Sequence, residues 1–371
     1  MPQRKNGSSK DEPGHFFVKE LADETPPSRQ TMELLCDLAA QLFLRRPWDL
    51  LNESELILVK DPLSGEMCHC SVMGELGEVL ALHAYIGAES LRLFRRLEAG
   101  EPTTMGEFLV SQHSVSVEFV KRARLEAPDR ELFSRLGLPL KKGALAPVFR
   151  VIRPGYYPWY VTEAEAQTLA ECQRATIALC DQLSAHADAH YWDEEGVYPL
   201  LSRAGEEGSR QEFRVERAEV KEPPLPAPDL PALDEARIGR IRERKYPRDA
   251  ALEVDSFYAG GMIGGKDERK ACTRLALAID AKTGIAYPPE VSLHSMSIGD
   301  ALASVVLRAI DAGRVLPREI CVGNAAYKLV LDPLANALGF SVRVKKSLPA
   351  LEFAKEHLLQ VMRDPGPLPF V

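Results

Sequence analysis

The 371-residue chain has no apolar run long enough to cross a membrane. Its longest, such as Leu275–Ile279, fall far short of the roughly 20 residues a helical span needs. The first 28 residues, MPQRKNGSSKDEPGHFFVKELADETPPS, lack the apolar core of a secretory signal, so residues 1–28 read as a disordered tail and the protein is expected in the cytoplasm, away from membranes. The seven cysteines (Cys36, Cys68, Cys70, Cys172, Cys180, Cys272, Cys321) are odd in number and show no CxxC spacing. That pattern suggests neither a disulfide framework nor a zinc ribbon and leaves reduced, mostly buried thiols. A strong basic excess is also missing. Residues 1–233 carry 26 Lys and Arg against 37 Asp and Glu, a balance of −11; residues 234–371 carry 20 against 17, a balance of +3. A surplus of three does not announce nucleic-acid binding, although opposite signs favour docking of the two halves.

What the chain does have is the length for two cores. The clearest break is Lys221–Ala232 (KEPPLPAPDLPA), whose prolines at 223, 224, 226, 228 and 231 impose an extended path. It sets out a tail (1–28), an α+β domain (29–220), a proline-rich linker (221–233) and a C-terminal domain (234–371). In the first domain, residues 31–46 have helical spacing, with Thr31 placed to cap. Leu56–Lys60, Met67–Gly74 and Val79–Gly87 read as strands of an antiparallel sheet, and residues 88–99 as a helix. Ser114–Phe119 and Pro147–Gly155 look extended, and Thr162–Ser184 is a strong helix carrying the Thr162/Glu165 capping-box spacing. In the second domain a helix over 234–245 precedes strands at Ala250–Ala259, Thr273–Ala281 and Ile285–Leu293. Helix Ile298–Ala312, strand Glu319–Gly323, helix Ala325–Leu338, strand Phe340–Lys345 and helix Pro349–Met362 follow. Three hairpin-linked strands and then alternating helix and strand is the order of an α/β RNase H-like domain.

VDSFY (Val254–Tyr258), LALAIDAKTGIAY (Leu275–Tyr287), ICVGNAAY (Ile320–Tyr327) and LANALGF (Leu334–Phe340) in that order resemble the cores of retroviral integrases and transposases. The resemblance covers about residues 250–362. It implies a first-strand aspartate, a second after the fourth strand and a glutamate on the next helix, together holding two Mg²⁺ or Mn²⁺ ions. Asp255 matches the first acid, and Glu356 or Glu352 the third. Asn324 stands in place of the second, where its side chain is also suited to cap the helix beginning at Ala325. Asp280 matches an acid held outside the chemistry, at a turn, while Asp280 or Asp332 would have to complete an unconventional ligand set. Over about residues 31–362 the chain also resembles an uncharacterised family of bacterial two-domain proteins known as domains of unknown function, through CSVMGELGE (Cys70–Glu78), RPGYYPWY (Arg153–Tyr160) and the VDSFY block. That resemblance brings no activity.

Several features outside the acids invite a functional reading. Tyr156, Tyr157 and Trp159 in the RPGYYPWY turn present planar surfaces that either stack on a ligand or pin the turn to the sheet. Arg237, Arg240, Arg244 and Arg248 recur at helical spacing, suited to a phosphate backbone or to the acidic first domain. His186 and His190 have metal-ligand spacing but no identifiable third ligand, and Cys68 and Cys70 share one strand face as core thiols. Gly260–Asp267 (GGMIGGKD) imitates a phosphate loop but lacks the hydroxyl after its lysine and a following helix, and reads as a hairpin tip. The sequence thus points to a non-catalytic binding or scaffolding protein with no cofactor and an unknown protein partner. The alternatives are a nuclease or transposase-like enzyme using Asp255 and Glu356 with Mg²⁺ or Mn²⁺, and nucleic-acid binding without catalysis, with Arg240, Arg244, Arg343, Lys345 and Lys346 as contacts.

Overall fold

The computed structural model describes residues 24–363 except 78, 102–107, 109–110, 140, 142, 187–190, 205–211, 222–227, 266–267 and 294. The expected tail up to residue 23, the prolines at 223, 224 and 226, His190, Asp188, Lys266 and Asp267 lie outside the described residues. The described chain falls into two units. One lies within Met1–Ala84, Val115–Val151 and Tyr160–Val220, the other within Tyr85–Ser114, Ile152–Trp159 and Lys221–Val371.

In the first unit, Ser28 rather than Thr31 caps helix α1 (Arg29–Arg45), because its hydroxyl accepts the Thr31 N–H. Strands β1 (Ile57–Lys60), β2 (Met67–Met73) and β3 (Leu80–Ile86) form as expected, and α2 (Gly87–Glu98), which follows them in the chain, falls in the second unit. Next come β4 (Ser114–Lys121), α3 (Ala127–Leu136), β5 (Leu145–Ile152), α4 (Glu163–Ala185), β6 (Val197–Ala204) and β7 (Glu212–Glu219). Three of these, α3, β6 and β7, were not anticipated. Helix α3 is signalled by a capping box between Glu126 and Asp129. The seven strands are ordered β5-β4-β3-β2-β1-β6-β7. The sheet is mixed rather than antiparallel: β1 runs antiparallel to β2 but parallel to β6, which arrives from α4 and not through a hairpin. The Thr162/Glu165 box opens α4, which packs on α1 and the sheet.

The second unit contains α5 (Glu235–Arg244), β8 (Arg248–Ile263), β9 (Ala271–Asp280), β10 (Glu290–Ser292), α6 (Ile298–Gly313), β11 (Leu316–Val322), α7 (Ala325–Leu338), β12 (Ser341–Val344) and α8 (Pro349–Arg363). Its sheet is ordered β10-β9-β8-β11-β12. The first three strands are antiparallel neighbours, β11 runs parallel to β8, and β12 parallel to β11. The strand expected over Ile285–Leu293 shrinks to three residues because Pro288 and Pro289 remove ladder donors. Strand β8 instead continues past Ala259, through a register shift between Tyr258 and Met262. Alternation sorts the side chains by face. Leu252, Val254, Ala276 and Ala278 pack with α5, α6 and α7, whereas Phe257, Leu275, Leu277, Ile279 and Cys321 pack with Leu348 and Leu351 beside α8.

Candidate functional site

Asp255 lies on the α8 face of β8, paired across the ladder with Leu277. Its Oδ1 accepts the N–H of Ser256 at 2.8 Å, and its Oδ2 is 3.8 Å from the Nζ of Lys355 on α8. The same ammonium sits 4.3 Å from the centre of the Phe257 ring, so the cation is held by a carboxylate and a π face together. Two residues earlier on this face, Glu253 is buried, and its Oε2 accepts the Leu351 N–H at 2.9 Å in the first turn of α8. A helix that begins with Pro349 leaves its early amides without internal partners, and Glu253 supplies one from the sheet.

The remaining acids are likewise engaged. Glu319 on β11 receives Arg343 Nε at 2.7 Å, Lys345 Nζ at 3.4 Å and the Cys321 thiol at 3.3 Å. Burial pushes its carboxyl up, but the thiol, Lys345 and Arg343 outweigh that and leave it below the usual range. Asn324 caps α7, its Oδ1 accepting the Tyr327 N–H at 2.8 Å. Asp280 accepts the N–H groups of Lys282 at 3.0 Å and Thr283 at 2.7 Å in a tight turn, and Asp332 pairs with Lys328 at 2.7 Å. Glu352 accepts the Leu348 N–H at 3.1 Å, and Glu356 is exposed. Among the described residues no group of three His, Cys, Asp or Glu is arranged to hold a metal ion. Lys355 was missed in the sequence reading. Nothing in the helical pattern of α8 distinguishes it from an ordinary surface lysine.

The aromatic turn is tied to the β8–β9 hairpin. Tyr156 bridges to Ala271, the Tyr157 N–H donates to Lys270 O at 2.9 Å, the Cys272 N–H donates to Gly155 O at 2.7 Å, and the Tyr157 hydroxyl donates to Gly260 O at 3.0 Å. Trp159 is half-buried. Tyr156 and Tyr157 thus tie the turn to the hairpin through backbone bonds, and the Tyr157 hydroxyl is used on backbone.

Most of the arginines have local partners within their own unit. Arg237 pairs with Asp311 at 2.8 Å and Arg244 donates to the Tyr246 hydroxyl at 2.8 Å. Arg242 and Arg248 donate to the last carbonyls of α7, those of Ala337, Leu338 and Gly339. Arg240 is exposed. In the first unit the thiols of Cys68 and Cys70 both meet that of Cys172, and all three are fully buried. His186 caps the end of α4. The glycine-rich stretch continues β8 as far as Ile263 and β9 begins at Ala271, so no helix follows it to aim amides at a phosphate.

The structure is that of a two-domain α+β protein with mixed sheets, and none of its described helices is long and apolar enough to cross a membrane. Residues 33–200 match the family described as Domain of unknown function (DUF7309), and residues 237–359 match Domain of unknown function (DUF6930). The two matches support an uncharacterised two-domain family and establish no function. No curated protein matches the chain.

Proposed function

We propose that the chain is a non-catalytic binding or scaffolding protein of the bacterial cytoplasm. In this reading an α+β recognition domain (29–220) is joined by a proline-rich linker (221–233) to an RNase H-like domain (234–371) whose metal site has been given up. The central first strand, the two antiparallel strands beside it and the two parallel strands on its other side support the RNase H-like assignment. The observation that carries the loss of chemistry is Lys355. Where an integrase-type core gathers two divalent cations, the Asp255 carboxylate faces an ammonium 3.8 Å away, and Asn324 spends its amide on a helix cap. A protein partner is favoured over nucleic acid because Arg237, Arg242, Arg244 and Arg248 already bond within the domain.

The test is calorimetric titration of Mn²⁺ into the full chain, together with cleavage assays on single- and double-stranded DNA and RNA. The expected result is no Mn²⁺ binding that depends on Asp255 and no divalent-dependent cleavage. Cleavage that disappears in Asp255→Ala overturns the reading in favour of metal-dependent phosphoryl transfer.

A further inference from the structure

The first unit holds a cavity that the proposed function does not use. Its volume is about 310 Å³, and all of its walls come from that unit: the entrance to α1, helix α3, edge strand β5 and the entrance to α4. A dry apolar cavity of roughly 150 Å³ already takes up benzene, so this one has room for a ring and the atoms attached to it.

The walls are apolar for two reasons. Pro26, Pro27, Pro128 and Pro147 have no backbone N–H to offer, and Met32, Leu132, Phe149 and Val161 present hydrocarbon. The polar groups set among them are spent. Asp129 accepts both arms of Arg150, at 2.9 and 2.7 Å, and the Glu126 N–H at 3.1 Å. Tyr160 donates its hydroxyl to Glu126 at 2.5 Å and carries the Arg150 guanidinium 4.5 Å from its ring centre. These bonds fix the wall before a ligand arrives, which lowers the cost of binding one.

The mouth differs. Glu131 and Arg135 also line the cavity, are both exposed, and stand one turn apart on α3. A Glu four residues before a basic residue is the order that pairs best along a helix. Yet among the described residues no ion pair or hydrogen bond engages the Glu131 carboxylate or the Arg135 guanidinium; only the Arg135 carbonyl is taken, by Arg29 at 3.2 Å. The opening therefore offers one anion and one cation, each with its charge unspent, beside an apolar chamber.

We infer that this cavity takes a free α-amino acid with a large apolar side chain, the side chain in the chamber, the carboxylate on Arg135 and the ammonium on Glu131. A free amino acid carries both charges on the carbon that bears its side chain, which matches an acid and a base one helical turn apart. The end of a peptide chain keeps one of the two charges and loses the other to the peptide bond. Glycine has both charges and leaves the chamber empty, whereas a phenyl ring fills it and removes its surface from water.

The experiment titrates the full chain with L-phenylalanine, glycine, phenethylamine and 3-phenylpropanoate, following both heat and thermal unfolding. L-Phenylalanine is expected to bind and to raise the unfolding temperature, and glycine to do neither. Phenethylamine lacks the carboxylate and 3-phenylpropanoate the ammonium, so each should bind about fivefold more weakly, the upper end for an ion pair open to solvent. Arg135→Gln should weaken L-phenylalanine by the same factor and leave it no better a ligand than phenethylamine. Glu131→Gln should do likewise against 3-phenylpropanoate. Both positions are exposed, so these variants should unfold like the parent when no ligand is present. Leu132→Trp fills the chamber and should abolish binding. The site is overturned if L-phenylalanine gives neither heat nor stabilisation, if the parent binds it no better than the two singly charged ligands, or if its affinity is unchanged in either glutamine variant. The inference gives the first domain a small-molecule ligand beyond the protein partner proposed above. It uses no residue of the second unit, so this test and the divalent-ion test can fail separately.

Discussion

On the α8 face of the second sheet, Glu253, Asp255 and Glu319 are each met by a donor: a helix amide, an ammonium, and a guanidinium with an ammonium. On the opposite face Arg274 is more deeply buried than Asp255, yet it meets only carbonyls and lies beside hydroxyls that bond to nothing described. The same strands present both arrangements, because alternate residues of β8 and β9 point to opposite sides. The difference teaches how one sheet satisfies buried charge in two ways: with carboxylate pairs on one face and with backbone carbonyls on the other. Glu253 and Asp255 fasten α8 to the sheet, and Glu319 ties β11 to Arg343 of β12 and to Lys345 just beyond it. On the other face, among the described residues, the Arg274 guanidinium donates to carbonyls and pairs with no carboxylate.

The largest effect on this comparison comes from Glu253. Replacing it with Ala leaves a buried amide of α8 unmet and should destabilise the protein by about 1–3 kcal/mol, while Gln keeps an acceptor and should cost less. Urea unfolding of the full chain reads both. If Glu253→Ala left the midpoint unchanged, the α8 face would not be held by its carboxylates and the contrast would fail. Asn324 comes next. Its loss in Asn324→Ala should cost about 1 kcal/mol, whereas Asn324→Asp caps equally well and should be near neutral. A neutral Asn324→Ala would reopen that side chain to a role other than capping.

Much of this architecture was legible in the sequence, and the failures have physical causes. The second unit reads well because its helices carry their own start signals, Ser297 and Asn324, and a stop signal, Gly339, and the inner strand β9 is largely an apolar run. Strands β6 and β7 were missed because one contains Pro199 and the other is an alternation of Glu and Arg with few apolar residues, so neither shows the period-2 apolar pattern. Expecting Thr31 as a cap failed by one turn, since Ser28 offers the same hydroxyl chemistry three residues earlier. At the site, Asp255 and the capping by Asn324 could be read locally, because each depends on neighbours in sequence. Lys355, Glu253 and Arg274 could not, because what distinguishes them is set by cross-strand register and by a helix about 100 residues along the chain.

The smallest effect separates the two faces by pH. The thiol of Cys321, Lys345 and Arg343 hold the Glu319 carboxyl below its usual range. Its stabilising contribution is therefore full above the ordinary glutamate value of about 4.3 and is lost as the pH falls through the lower folded value. Glu319→Gln should cost less than about 1 kcal/mol at pH 7, because Arg343 and Lys345 are solvent-exposed, and the variant and parent should converge near pH 3. Urea midpoints at the two pH values measure the convergence. Acid should thus loosen the Glu319 ion pairs of the α8 face. If the difference between parent and Glu319→Gln persisted unchanged at pH 3, the ion pairs would not be what holds Glu319, and the opposition between the two faces would reduce to burial alone.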